Sequence, residues 1–158
     1  MKKEYGKNLK RIFKNKIIES IPEISVWTEK SYYIFPGEVV YCLGDFNGAK
    51  AFVILIPSSK DDVFTVEIAW SRKGRFPELS GRPCHLSDEP DSAEEYSVRL
   101  PYLVNKTDDF WCVPKKKFAD MLEEIKHSME KPTDEEAIKV LTPLVDDCVE
   151  KIVKYGIP

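Results

Sequence analysis

The sequence predicts an α+β fold: a mostly antiparallel sheet of about five to seven strands, with one N-terminal helix and two C-terminal helices packed on it. Three observations carry this expectation. Apolar residues recur every three or four positions at both ends of the chain, the spacing of a helix buried along one side. Between those ends lie short β-branched and aromatic runs separated by Pro-Gly and Asn-Gly turn signals. One stretch, 71–95, has neither pattern.

The first helix is predicted over Lys3 to Ile21, where Tyr5, Leu9, Ile12, Phe13, Ile17 and Ile21 line one side and Pro22 closes it. Its apolar stripe should lie on the sheet and its lysines in water. Strand-like runs follow at Val26–Thr28 and Tyr32–Phe35, leading to Pro36-Gly37, which supplies the fixed and the positive φ of a tight turn. Glu38 to Leu43 is the next strand, and Gly44 to Gly48 ends in Asn-Gly, a hairpin signal. Ala51 to Ile56 is apolar without alternation, as expected of a strand covered on both faces. After the turn Pro57 to Asp62, Phe64, Val66, Ile68 and Trp70 alternate with Thr65, Glu67 and Ala69, which predicts a half-buried strand.

Tyr96 to Val104 alternates again, and Pro101 places that strand at an edge. Asp109 to Val113 makes a short last strand. Pro114 suits a first helical turn, and Phe118, Met121, Leu122, Ile125 and Met129 trace a helical face that Pro132 ends. Thr133 and Glu136 form a capping-box signature for the last helix, whose stripe of Ile138, Leu141, Leu144, Val145, Cys148, Val149 and Ile152 runs through a predicted kink at Pro143. With 158 residues, 42% of them hydrophobic, the chain is expected to form a single domain over 1–158.

Composition restricts the function classes. No apolar run nears the roughly 20 residues that cross a bilayer, and no signal-type apolar stretch follows the first residues, so a soluble cytoplasmic protein without membrane contact is expected. The four cysteines lack a Cys-x-x-Cys pair and only two histidines are present, so neither a metal site nor a disulfide framework is expected. Residues 1–16 hold seven cations and one acid, so residues 17–158 carry −9 within an overall −3. A basic arm on an acidic body can grip an acidic partner, or it can be the solvated face of a surface helix.

Few catalytic sets are even partly assembled. Cys84 precedes His85, but neighbours on extended chain point apart. Asp45 and Glu67 suit two metal ligands of a restriction-endonuclease-like nuclease, a helix followed by acidic strands. That chemistry wants a lysine two residues past the glutamate, where this chain has Ala69. Asp61-Asp62 and Asp108-Asp109 sit at turns, where aspartates bond their own backbone. Phosphate-binding glycine loops and a Gly-x-Ser-x-Gly elbow are missing from the sequence, and no cofactor is expected.

The remaining candidate is a surface. Trp70, Arg72, Lys73, Arg75, Phe76 and Arg82 combine the aromatic and arginine side chains in which binding energy concentrates. Further cationic patches lie in the first helix and at Lys115-Lys116-Lys117, but the acidic body would repel a long polyanion, so a protein partner is expected before nucleic acid.

The strand Phe64–Trp70, the segment Ser97-Val98-Arg99-Leu100, the pair Phe110-Trp111 and the terminal Tyr155-Gly156-Ile157-Pro158 give the region from about Lys7 to Pro158 a resemblance to small uncharacterised bacterial single-domain families. Those families place a helix before a β-meander and close with helices. The resemblance implies a layout like that of immunity and accessory proteins near toxin or phage-defence genes, and it brings no catalytic residue. The expectation is therefore a non-enzymatic binding protein, an inhibitor or immunity-type antidote of a partner protein. The alternatives are a degenerate metal-dependent nuclease and a nucleic-acid-binding accessory protein that uses the basic helix.

Overall fold

The computed structural model describes residues 1–79 and 94–158. In chain order these form α1 (Lys3–Ser20), β1 (Ser25–Val26), β2 (Val39–Phe46), β3 (Ala49–Pro57), β4 (Val63–Ser71), β5 (Glu95–Arg99), α2 (Leu100–Asn105), β6 (Trp111–Cys112), α3 (Met121–Met129) and α4 (Asp134–Lys151). A π-helical turn, Ile152–Gly156, extends α4. The strands make one antiparallel sheet in the order β1-β2-β3-β4-β5, with β6 paired to the far end of β4. The α+β class is thus the observed one.

Local chemistry explains each turn of the sheet. Asn47 and Gly48 both have positive φ, +50° and +81°, as the two-residue turn joining β2 to β3 requires. The Pro36-Gly37 turn closes through the Glu38 amide, which donates to the Phe35 carbonyl at 3.1 Å, with Gly37 at φ +91°. Tyr32–Phe35, predicted as a strand, is instead turned chain in which the Ser31 hydroxyl and carbonyl accept from Tyr33 and Ile34. Serine there gives the backbone a local partner in place of a ladder.

Among the described residues, the sheet carries helices on one face only. Leu9, Phe13 and Ile17 of α1 and Leu141, Val145, Cys148 and Ile152 of the α4 region pack together onto Tyr41, Val53, Leu55, Phe64, Val66 and Val98. Burial pushes the Tyr41 hydroxyl up to about 12. Gly156 lets the π-turn settle on β4, since a Cβ there would lie 2.9 Å from the Ile68 side chain. On the opposite face Val40, Cys42, Phe52, Ile54 and Ala69 are covered by non-helical chain through Trp27, Tyr33, Ile34 and Phe76.

That second cover corrects the expectation for β4. The strand is buried on both faces, Thr65, Glu67 and Ala69 as fully as Phe64, Val66 and Ile68, and Ala69 packs in the second-face layer with Phe76 and Trp27. The predicted strand Tyr96–Val104 also divides. It stays extended to Arg99, then becomes α2, with Pro101 in the first turn, where its missing N–H costs nothing. Lys106 ends α2 in the left-handed conformation, its amide donating to the Tyr102 carbonyl at 3.1 Å.

The C-terminal helices differ from each other. α4 begins on the predicted capping box, Thr133 Oγ1 accepting from the Glu136 amide at 3.1 Å and Glu136 from the Thr133 amide at 2.9 Å. It continues through Pro143 and buries its stripe. α3 starts at Asp120, whose carboxylate accepts from the Glu123 amide at 2.8 Å, and not at Pro114, where no such cap is available. α3 buries none of its residues.

Candidate protein-docking surfaces

The loop after β4 is a built corner. Trp70 is half-buried on the helical face, stacked on Tyr96 with ring centroids 5.6 Å apart, and the Arg72 guanidinium lies 5.3 Å from the Trp70 ring. Arg72 Nη1 also donates to the Asn47 carbonyl at 3.3 Å. Gly74 takes φ +70° to turn the chain, and the Glu95 carboxylate then gathers Lys73 at 3.3 Å and Arg75 at 2.9 Å. Arg75 further meets Glu78 at 3.4 Å. Phe76 is only 3% exposed and packs edge-on against Phe52 at 5.4 Å.

The predicted contact residues therefore separate by role. Trp70 and Arg72 stay at the surface, Lys73 and Arg75 are neutralised by an acid of the next strand, and Phe76 anchors the corner in the second core layer. Arg82, Cys84 and His85 lie outside the described residues.

Asp45 and Glu67 are not brought together. Asp45 sits at the end of the β2–β3 hairpin with Lys50, 3.3 Å away. Glu67 lies two strands over in mid-sheet, opposite Arg99. The strand registers put the two roughly 15 Å apart, far beyond what one cation bridges. Glu67 is 4% exposed, accepts from Ser97 Oγ at 3.5 Å and stands 3.9 Å from Arg99 Nε. Among the described residues, no three histidine, cysteine or acidic groups cluster as a metal site would need. Cys148 is fully buried, and burial first, then Asp147, raises its thiol well above the usual range, which suppresses the thiolate.

The basic helix α1 is partly neutralised from α4. Lys7 and Lys16 meet Asp134 and Asp146 at 3.7 and 3.0 Å. A hydrogen bond from Asn8, with Lys7 beside it, holds the Asp134 carboxyl below its ordinary value. The cleft of about 580 Å³ between the end of α1 and α4 is lined by Lys16, Glu19, Asp146, Glu150 and Lys154, and the Lys16–Asp146 pair crosses it.

The largest departure from expectation is α3. Met121, Leu122, Ile125 and Met129 are 74, 64, 50 and 78% exposed, and all four fall on one side of the helix. The helix is held to the rest of the protein at its C-terminus. The His127 ring contacts Phe118 at 4.9 Å, and Lys2 Nζ donates to the His127 and Glu130 carbonyls at 3.4 and 3.1 Å, completing the helix C-terminus with a cation. Lys2 is fixed in turn by its amide, which donates to Asp62 at 2.7 Å. The period of the stripe was legible in the sequence; that it faces outward is a tertiary fact.

Comparison with protein-family models, with curated proteins and with solved structures gave no match. No helix among the described residues is long and apolar enough to cross a membrane.

Proposed function

We propose that this chain is a non-enzymatic binding protein that acts by docking on a partner protein, as an inhibitor or immunity-type antidote does, in a bacterial cytoplasm. The observation that supports this reading is the outward apolar stripe of α3. Four large aliphatic side chains in water on one short helix are a cost that a free monomer has no reason to carry, and contiguous apolar patches of this kind mark binding surfaces. Two methionines in the stripe add unbranched, adaptable contacts. Trp70 with Arg72 offers a second contact on a rigid corner, the residue types and the preorganisation of a binding hot spot.

The test uses the full chain as bait in its host, followed by calorimetric titration of each purified protein it retains. The expected result is one saturable partner, bound at a fixed stoichiometry and chemically unaltered. Turnover of a nucleic acid or other substrate by the purified chain, abolished by Glu67→Ala or another single change, would overturn the reading.

A further inference from the structure

We infer that the segment 114–118 is a cleavage site for a lysine-specific endopeptidase, which cuts the native chain at the Lys116–Lys117 bond and leaves the two pieces bound to each other. The inference goes beyond the binding reading above, and either can fail without the other.

An endopeptidase takes its substrate as extended backbone whose N–H and C=O groups are free to pair with the enzyme, and it reads the residue before the cut in a side-chain pocket. Residues 113–118 are neither helix, strand nor turn, and 114–117 are all exposed. Among the described residues, no backbone or side-chain group of 114–118 makes a hydrogen bond or an ion pair. Both ends of this free stretch are anchored. The Val113 amide donates to the Asp62 carbonyl at 2.9 Å, and the Ala119 amide to Glu123 Oε2 at 3.4 Å. Lys116–Lys117 lies midway between the anchors, and the Lys116 side chain is free to enter an acidic specificity pocket.

The chain has 24 lysines and arginines, and the state of the others singles out this bond. Those in helices and strands belong to hydrogen-bonded backbone that must open before an enzyme can take it. In the loops, the Lys2 amide donates to Asp62, Lys60 to Ser58 Oγ, Arg72 to the Glu94 carbonyl, Lys73 to Ser71 Oγ and Lys106 to the Tyr102 carbonyl. Lys30 runs straight into the turn closed by Ser31, and the Arg75 side chain is held by Glu95 and Glu78. Lys131 and Arg82 precede Pro132 and Pro83, whose ring replaces the N–H of the bond to be cut.

Hydrolysis consumes one water. Its oxygen joins the Lys116 carbonyl carbon, the C–N bond breaks, and the pieces end in a Lys116 carboxylate and a Lys117 ammonium. The fold holds them together afterwards. All six strands with α1 and α2 lie before the cut, and β6 keeps its place through Trp111 stacked on Phe64. The piece after the cut carries α4, whose Leu141, Val145, Cys148 and Val149 are buried against α1 and the sheet. The Trp111–Asp147 hydrogen bond also crosses between the pieces.

The experiment digests the full native chain with dilute trypsin, locates the first cut by intact-mass spectrometry and runs the nicked protein on a sizing column without denaturant. Lys115→Gln/Lys116→Gln/Lys117→Gln is digested beside the parent. The expected results are a first cut within 115–118 centred on Lys116–Lys117, two pieces that co-elute, and a first cut slowed about tenfold or more in the triple variant, where cleavage must wait for other backbone to open. A first cut at any other bond, or equal rates in parent and variant, overturns the cleavage site. Pieces that separate on the column overturn their retention by α4.

Discussion

Phe76 shows how one side chain changes role between sequence and structure. Beside Arg75 and Trp70 it has the composition of an exposed contact, yet the turn at Gly74 sends it inward onto Phe52. Phe76→Ala should cost about 3–5 kcal/mol, the range for emptying a large aromatic site, whereas a surface phenylalanine would cost almost nothing. Urea denaturation distinguishes the two. Trp111 and Asp147 make a second case. Partial burial pushes the Asp147 carboxyl up, but hydrogen bonds from Lys151 and from the Trp111 indole, the latter at 2.8 Å, outweigh it and hold the group below its ordinary value. A depressed folded pKa contributes stability that is complete above the unfolded value near 4 and is lost as pH falls through the folded one. Trp111→Phe keeps a ring against Phe64 and removes the donor, so it should lower stability by about 1–2 kcal/mol at neutral pH and by less at pH 3. An equal loss at both pH values would mean that packing, not the hydrogen bond, sets the effect.

Elements follow a similar division between pattern and context. Periodicity identified α1, α3 and α4, and turn chemistry placed the hairpin and the capping box, because these signals are local. Extended alternation carried the reading of Tyr96–Val104 past its true end at Arg99, since period two through a proline fits a strand edge as well as a strand followed by a helical first turn. Periodicity also states which side of a helix is apolar without stating what covers it. α4 buries its stripe against α1 and the sheet, while α3 leaves its own in water. Ile125→Ser should therefore change stability by no more than about 0.5 kcal/mol, and Leu141→Ala in α4 should cost about 2–5 kcal/mol. A nine-residue helix is marginal without support, and α3 draws its support from the Asp120 cap and from Lys2. Lys2→Ala should speed amide exchange within 121–129 and leave α4 protection unchanged; equal protection of α3 in both proteins would show that the lysine does not hold it.

For the whole molecule, the charge asymmetry resolves into helix packing. The cationic α1 lies beside α4, whose Asp134 and Asp146 take two of its lysines, while Lys2 serves α3. Composition showed the asymmetry but not that its halves face each other, which depends on α1 and α4 sharing one side of the sheet. The site was legible in the same partial way. Trp70 and Arg72 are at the surface as the sequence suggests, Lys73, Arg75 and Phe76 are engaged within the protein, and the stripe of α3 lay in plain view as a helical face expected to be core. Core and contact surfaces draw on the same aliphatic residues, so only tertiary structure separates them.

The proposed function stands on α3 as the apolar surface offered to a partner protein. Its most direct test is the affinity of the purified partner for the parent and for Ile125→Ser, measured at matched thermal midpoints. The account predicts a loss of about tenfold or more with the midpoint unchanged; equal affinities would contradict it.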